Sequence, residues 1–88
     1  MASQEKRAVV LGKQLFVDLW SLEGFEGIVC ENPSDIAGTY RELLEESIAF
    51  IIVEEQWFNE LPDTYRKRFE KMQRPVWIPF PSLLLGRD

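Results

Sequence analysis

An 88-residue chain with ten Lys and Arg against fifteen Asp and Glu carries a formal charge of −5. That speaks against nucleic acid and anionic membrane as partners, since both are held through clustered cations. The 45% hydrophobic content is that of a globular chain, and the length suits one domain, 1–88, with a core over 7–82 and a short tail at 83–88. One cysteine, Cys30, and no histidine exclude an internal disulfide, a thiolate metal cluster and the commonest general base. They fit a reducing, cytoplasmic setting. The opening Met1 to Arg7 leads into no apolar signal core, and no apolar run approaches the ~20 residues of a membrane span.

Arg7-Ala8-Val9-Val10-Leu11 is a short apolar run closed by Gly12 and predicts a first strand. From Gln14 to Glu23 the spacing predicts a helix, stopped by Gly24 or Gly27, with Leu15, Leu19 and Leu22 on one stripe. Phe16 and Trp20 make a second stripe about 100° round, surplus to a helix that covers one sheet face. Gly27 to Glu31 predicts the second strand. Asn32-Pro33-Ser34-Asp35 then reads as a helix start, with Asn32 as cap and Pro33 at the first helical position. The helix it opens places Ile36, Tyr40, Leu43 and Leu44 opposite Arg41, Glu42, Glu45 and Glu46, a plain amphipathic cover.

Ile48-Ala49-Phe50-Ile51-Ile52-Val53 is six apolar residues without alternation, followed at once by Glu54-Glu55. It predicts the central strand, buried on both faces. Glu54 to Met72 carries a helical stripe at Phe58, Leu61, Tyr65, Phe69 and Met72, and Pro62 predicts a break or kink at Leu61. Pro75 to Ile78 predicts a last strand, ended quickly and held at the sheet edge by Pro79 and Pro81. Strand and helix alternate three times before a final strand. The fold class is therefore α/β, a three-layer sandwich around a four-stranded parallel sheet of order 2-1-3-4, receiver- or flavodoxin-like.

Ligands of such sheets bind beyond the carboxyl ends of the strands, here Gly12-Lys13, Glu31-Asn32, Glu54-Glu55 and Pro79-Phe80. One glycine followed by Lys13-Gln14 does not make a phosphate-cradling loop. A phosphoacceptor site would need acids where Lys13 stands, an aspartate where Glu54 stands, and a fifth strand. Glu54 and Glu55 read as the start of a helix, Cys30 as a buried thiol, and Glu42, Glu45 and Glu46 as a solvated face. No catalytic, cofactor-binding or metal-ligating residue is assigned. Phe16, Trp20, Trp57, Trp77 and Phe80 exceed what a small core needs, and two readings stay open: an aromatic-rich core, or a contact patch for a partner protein.

The succession of motifs nevertheless resembles a known family. Leu-Glu-Gly-Phe-Glu-Gly (22–27) closes the first helix, and Glu-Asn-Pro (31–33) opens the second. Ile-Ala-Phe-Ile-Ile-Val-Glu-Glu (48–55) and Arg-Pro-Val-Trp-Ile-Pro-Phe-Pro-Ser (74–82) follow. Together these resemble the F subunit of V-type (A/V-type) ATPases over about Ala8 to Ser82. The resemblance implies a non-catalytic central-stalk subunit that docks on the coiled coil of the D subunit. There it supports coupling of ATP hydrolysis or synthesis to proton or sodium movement, peripheral to the membrane. Two departures stand out. Gly12-Lys13 replaces the family's Gly-Asp, and only 83–88 follow where the family carries a C-terminal helix. The alternatives are a small receiver-like or nucleotide-binding regulator, and a scaffold that self-associates through the edge strand bearing Trp77.

Overall fold

In the computed structural model, which describes residues 6–81, the two β-branched runs become the inner strands of one sheet. These are β1 (Arg7–Gly12) and β3 (Ile48–Glu54); β2 (Glu26–Val29) and β4 (Val76–Phe80) flank them. All pairings are parallel and the order is β2-β1-β3-β4, as the alternation of elements predicted. The register sets Gly27, Val10, Ile52 and Ile78 in one row and Ile28, Leu11 and Val53 in the next, so adjacent rows face opposite layers.

One layer is α1 (Gln14–Ser21), which buries Phe16 and Val17 against Val10 and Ile52. The other holds a 3-10 segment (Pro33–Gly38), α2 (Tyr40–Leu43), α3 (Glu55–Asn59) and α4 (Asp63–Lys71). This second layer makes the larger core, with Val9, Leu11, Ile51 and Val53 against Ile36, Leu43, Trp57, Leu61 and Phe69. Trp57, 1% exposed, donates its indole N–H to the Cys30 carbonyl at 2.8 Å and so ties α3 to the end of β2.

Three local expectations change, and the one at Pro62 holds. The second helix is a 3-10 segment and one short α-helix, because the chain leaves helical geometry at Asp35 and again at Gly38-Thr39. Asn32 caps it without a side-chain hydrogen bond, and Leu44, expected inside, is exposed. The break at Pro62 is real and complete: α3 ends at Asn59, and the Pro62 carbonyl accepts from Tyr65 and Arg66 to begin α4. β4 runs on through Pro79 to Phe80, since an edge strand bonded only to β3 can spare a donor on its free side.

The third change concerns β3, which is not buried on both faces along its whole length. Ile48, Ile51, Ile52 and Val53 are buried, but Phe50 is 44% exposed. Phe50 lies on the α1 side, where α1 packs mainly over β1 and β2 and reaches Ile52 of β3. Ser82 and the tail at 83–88, with the question of a C-terminal helix, fall outside the described residues.

Candidate docking surface

Two glycines decide which way α1 faces. A Cβ on Gly27 of β2 would collide with Val17 Cγ1 and lie 3.3 Å from Ser21 Oγ, so only glycine lets the helix come this close. Gly12, at φ +148°, turns the chain out of β1 beneath Phe16, in a backbone region other residues rarely adopt. Phe16 and Val17 are thereby pressed onto the sheet, and Trp20 completes an aromatic row. Its ring centre lies 6.2 Å from Phe16, 5.6 Å from Phe25 and 4.8 Å from Phe80.

This reverses the expected facing of the helix. The stripe taken as surplus is the packed one, and the leucine stripe points outward, with Leu15, Leu19 and Leu22 at 51%, 42% and 82% exposure. The five aromatics, for which a core and a contact patch both stayed open, are divided between the two sides of the sheet. Phe16 and Trp57 are core residues on opposite sides of the sheet. Trp77 is half-buried on the far side, stacked on Phe69 and Phe58 with ring centres 4.4 and 5.3 Å away. Its indole nitrogen is buried without a hydrogen-bond partner among the described residues. Phe16, Trp20 and Phe80 belong to one cluster, with Trp20 and Phe80 half-buried under and beside α1. Aromatic rings bury more area than leucines, so a helix with both stripes turns its rings inward wherever glycines make room for them.

The exposed apolar side chains gather on that same side. Among the described residues seven large hydrophobics are exposed, and six of them sit on or beside α1 or at strand positions facing its layer: Leu15, Leu19, Leu22, Val29, Phe50 and Val76. Scattered exposed leucines would need no explanation, but a one-sided set does. Sequence reasoning missed these residues because hydrophobicity alone cannot rank two apolar stripes on one helix. Gly27, a glycine inside a strand, was the available signal.

The carboxyl ends of the strands are closed in a different way. Glu31 accepts the backbone N–H of Gln14 at 2.6 Å, so a carboxylate of the chain itself occupies the start of α1, where a phosphate would have to sit. Glu54 is buried at the end of β3. No group of three His, Cys, Asp or Glu among the described residues could hold a metal ion. Burial pushes the Cys30 thiol above its ordinary range, and the thiol donates to the Asn32 carbonyl at 3.3 Å. At the other end, Arg7 clasps Glu26 and Glu45 at 2.7 and 3.0 Å and bonds Ser47 Oγ at 2.7 Å. These bonds, that to Glu26 first, hold its guanidinium above its ordinary value. A cleft of about 330 Å³ between α4 and β4, lined by Phe58, Met72, Pro75, Trp77 and Pro79, completes the surface.

Fold and surface define a small parallel α/β protein that leaves one sheet layer half covered. The family model of the ATP synthase (F/14-kDa) subunit matches residues 8–86, and the chain belongs to that family. Among solved structures, the F subunit of the V-type ATP synthase from Archaeoglobus fulgidus shares the fold with a TM-score of 0.72 at 15% identity. That likeness covers 86% of this chain and 98% of the other. No curated protein matches the sequence.

Proposed function

We propose that the chain is the F subunit in the central stalk of a V-type rotary ATPase or ATP synthase. It docks without catalysis on the coiled coil of the D subunit, and supports coupling of ATP hydrolysis or synthesis to proton or sodium transport. The family match over nearly the whole chain carries this reading, and the one-sided apolar surface supports it. No described helix is long and apolar enough to cross a membrane, which suits a protein attached to the membrane through its neighbours in a complex. The Glu31 carboxylate at the start of α1 weighs against a nucleotide-binding role, because a phosphate would have to displace it. The test is size-exclusion chromatography of the chain mixed with a D-type subunit at micromolar concentration. Co-elution is expected, and separate elution would refute the assignment.

A further inference from the structure

Five of the six exposed hydrophobics, all but Val29 on the far edge strand β2, outline a position left open among the described residues of the α1 layer. An α-helix with side chains is about 10 Å wide and neighbouring strands lie about 4.8 Å apart, so one helix covers two strands. α1 lies mainly over β1 and β2 and reaches Ile52 of β3, which among the described residues leaves Phe50 of β3 and Val76 of β4 uncovered on that side, with Trp20 and Phe80 at the upper end. The floor of the bare strip is Phe50, Val76 and Ile78, paired across the two strands. Its wall follows from the helix itself. Val17 is the residue pressed on Gly27 of β2. At about 100° per residue Leu19 lies beyond Phe16 on the opposite flank, toward β3 and β4, with Leu15 next to it.

We infer that this strip receives a single helix of a partner subunit, one whose apolar stripe is flanked by Lys and Arg. Three observations choose that occupant. The strip is one helix wide, and Leu15, Leu19 and Leu22 repeat at the four- and three-residue spacing with which one helix packs along another. The acids beside those leucines, Asp18 and Glu23, form no ion pair with another described residue, so cations on the incoming helix would meet them. A second copy of this chain would instead set Asp18 and Glu23 against their own kind, with −5 on each molecule. The inference deepens the proposed docking role by assigning its face, and rests on that role for the identity of the partner.

The experiment has two arms. In the first, the D-type subunit is titrated with the wild type, with Leu15→Asp/Leu22→Asp, and with Lys67→Glu on the exposed side of α4, far-UV circular dichroism verifying the fold of each. The double variant weakens binding at least tenfold and Lys67→Glu changes it less than twofold; equal binding by all three overturns the face. In the second arm the probe is a synthetic helical peptide with leucines at i, i+4 and i+7 flanked by lysines, followed by amide chemical shifts. Shifts confined to α1, β3 and β4 that fade with salt support the inference even if the D subunit does not bind, in which case only the proposed function falls. Shifts elsewhere, or none at millimolar peptide, overturn it. So would a dimer that the double variant dissolves, which gives the strip to a second copy. A Leu83→Asp/Leu84→Asp/Leu85→Asp chain that binds the peptide tenfold more tightly would give it to the chain's own last residues.

Discussion

Replacing Gly27 by alanine tests the facing of α1 with one methyl group. The new Cβ would run into Val17 Cγ1 at a point where β2 and the helix touch, and Ser21 Oγ closes off the other side at 3.3 Å. Val17 is buried and anchored beside Phe16, so the strain cannot be relieved by swinging a surface side chain away. Overpacking of this kind costs about 1–3 kcal/mol. An 88-residue domain has roughly 4–13 kcal/mol of stability in all. Val17→Ala alone removes two buried methyls and costs about 1–3 kcal/mol. In the double variant each change makes room for the other, so the loss falls short of the summed single losses by at least about 1 kcal/mol. Urea unfolding of the four proteins, read at constant m-value, measures that coupling. Additive losses would mean that α1 does not lie on β2 through Val17, and the outward leucine stripe would lose its basis.

Further expectations concern the two cores and the thiol. Leu22→Ser and Leu15→Ser each leave stability within about 0.5 kcal/mol, since neither side chain is packed, whereas a buried leucine cut to alanine costs about 2–5 kcal/mol in the same unfolding assay. Trp57→Phe leaves the Cys30 carbonyl without its 2.8 Å donor and costs about 1–3 kcal/mol, while Trp57→Ala costs about 3–5 kcal/mol by adding a cavity. Cys30 keeps its proton to higher pH in the folded chain than in the unfolded one. Its contribution is therefore full below the ordinary value of 9.0 and declines as pH rises from there through the folded-state value. The difference in stability between the wild type and Cys30→Ala should narrow over that range and stay flat at lower pH. The same burial predicts slow reaction with a disulfide reagent at pH 8, accelerated by urea.

The topology was legible because strand and helix signals alternate without ambiguity. Ile48 to Val53 is too short for a buried helix and, followed by Glu54-Glu55, reads as an inner strand, and Pro62 reads as a break or kink in the segment in which it stands. The short elements were harder. Residues 33–43 carry helix-start residues and an amphipathic pattern, yet Gly38-Thr39 interrupts them, so a 3-10 segment and a single α turn form in place of one helix. The surface was least legible. Phe50 sits in the most apolar run of the chain and is nonetheless half open, because its exposure is set by where α1 ends up and not by its neighbours in sequence. Two apolar stripes on α1 posed the same difficulty: the choice between them lies in Gly27, a residue of another element.

That choice also explains how one helix can serve two layers. A helix with a single apolar stripe must turn it to its own sheet, as α4 does, where Phe69 is buried and the charged residues look outward. In α1 the rings of Phe16 and Trp20 anchor the helix, which frees Leu15, Leu19 and Leu22 to remain outside without loosening the fold. Burying one exposed leucine is worth about 1.5–3 kcal/mol in full, so three leucines with Phe50 and Val76 hold enough unrealised hydrophobic free energy to seat another helix. A partner that binds only the folded chain also stabilises it, by about 2.7 kcal/mol when present at a hundred times its Kd. On the proposed docking, the apolar strip left exposed on the isolated chain would be the feature through which a bound neighbour adds to its stability.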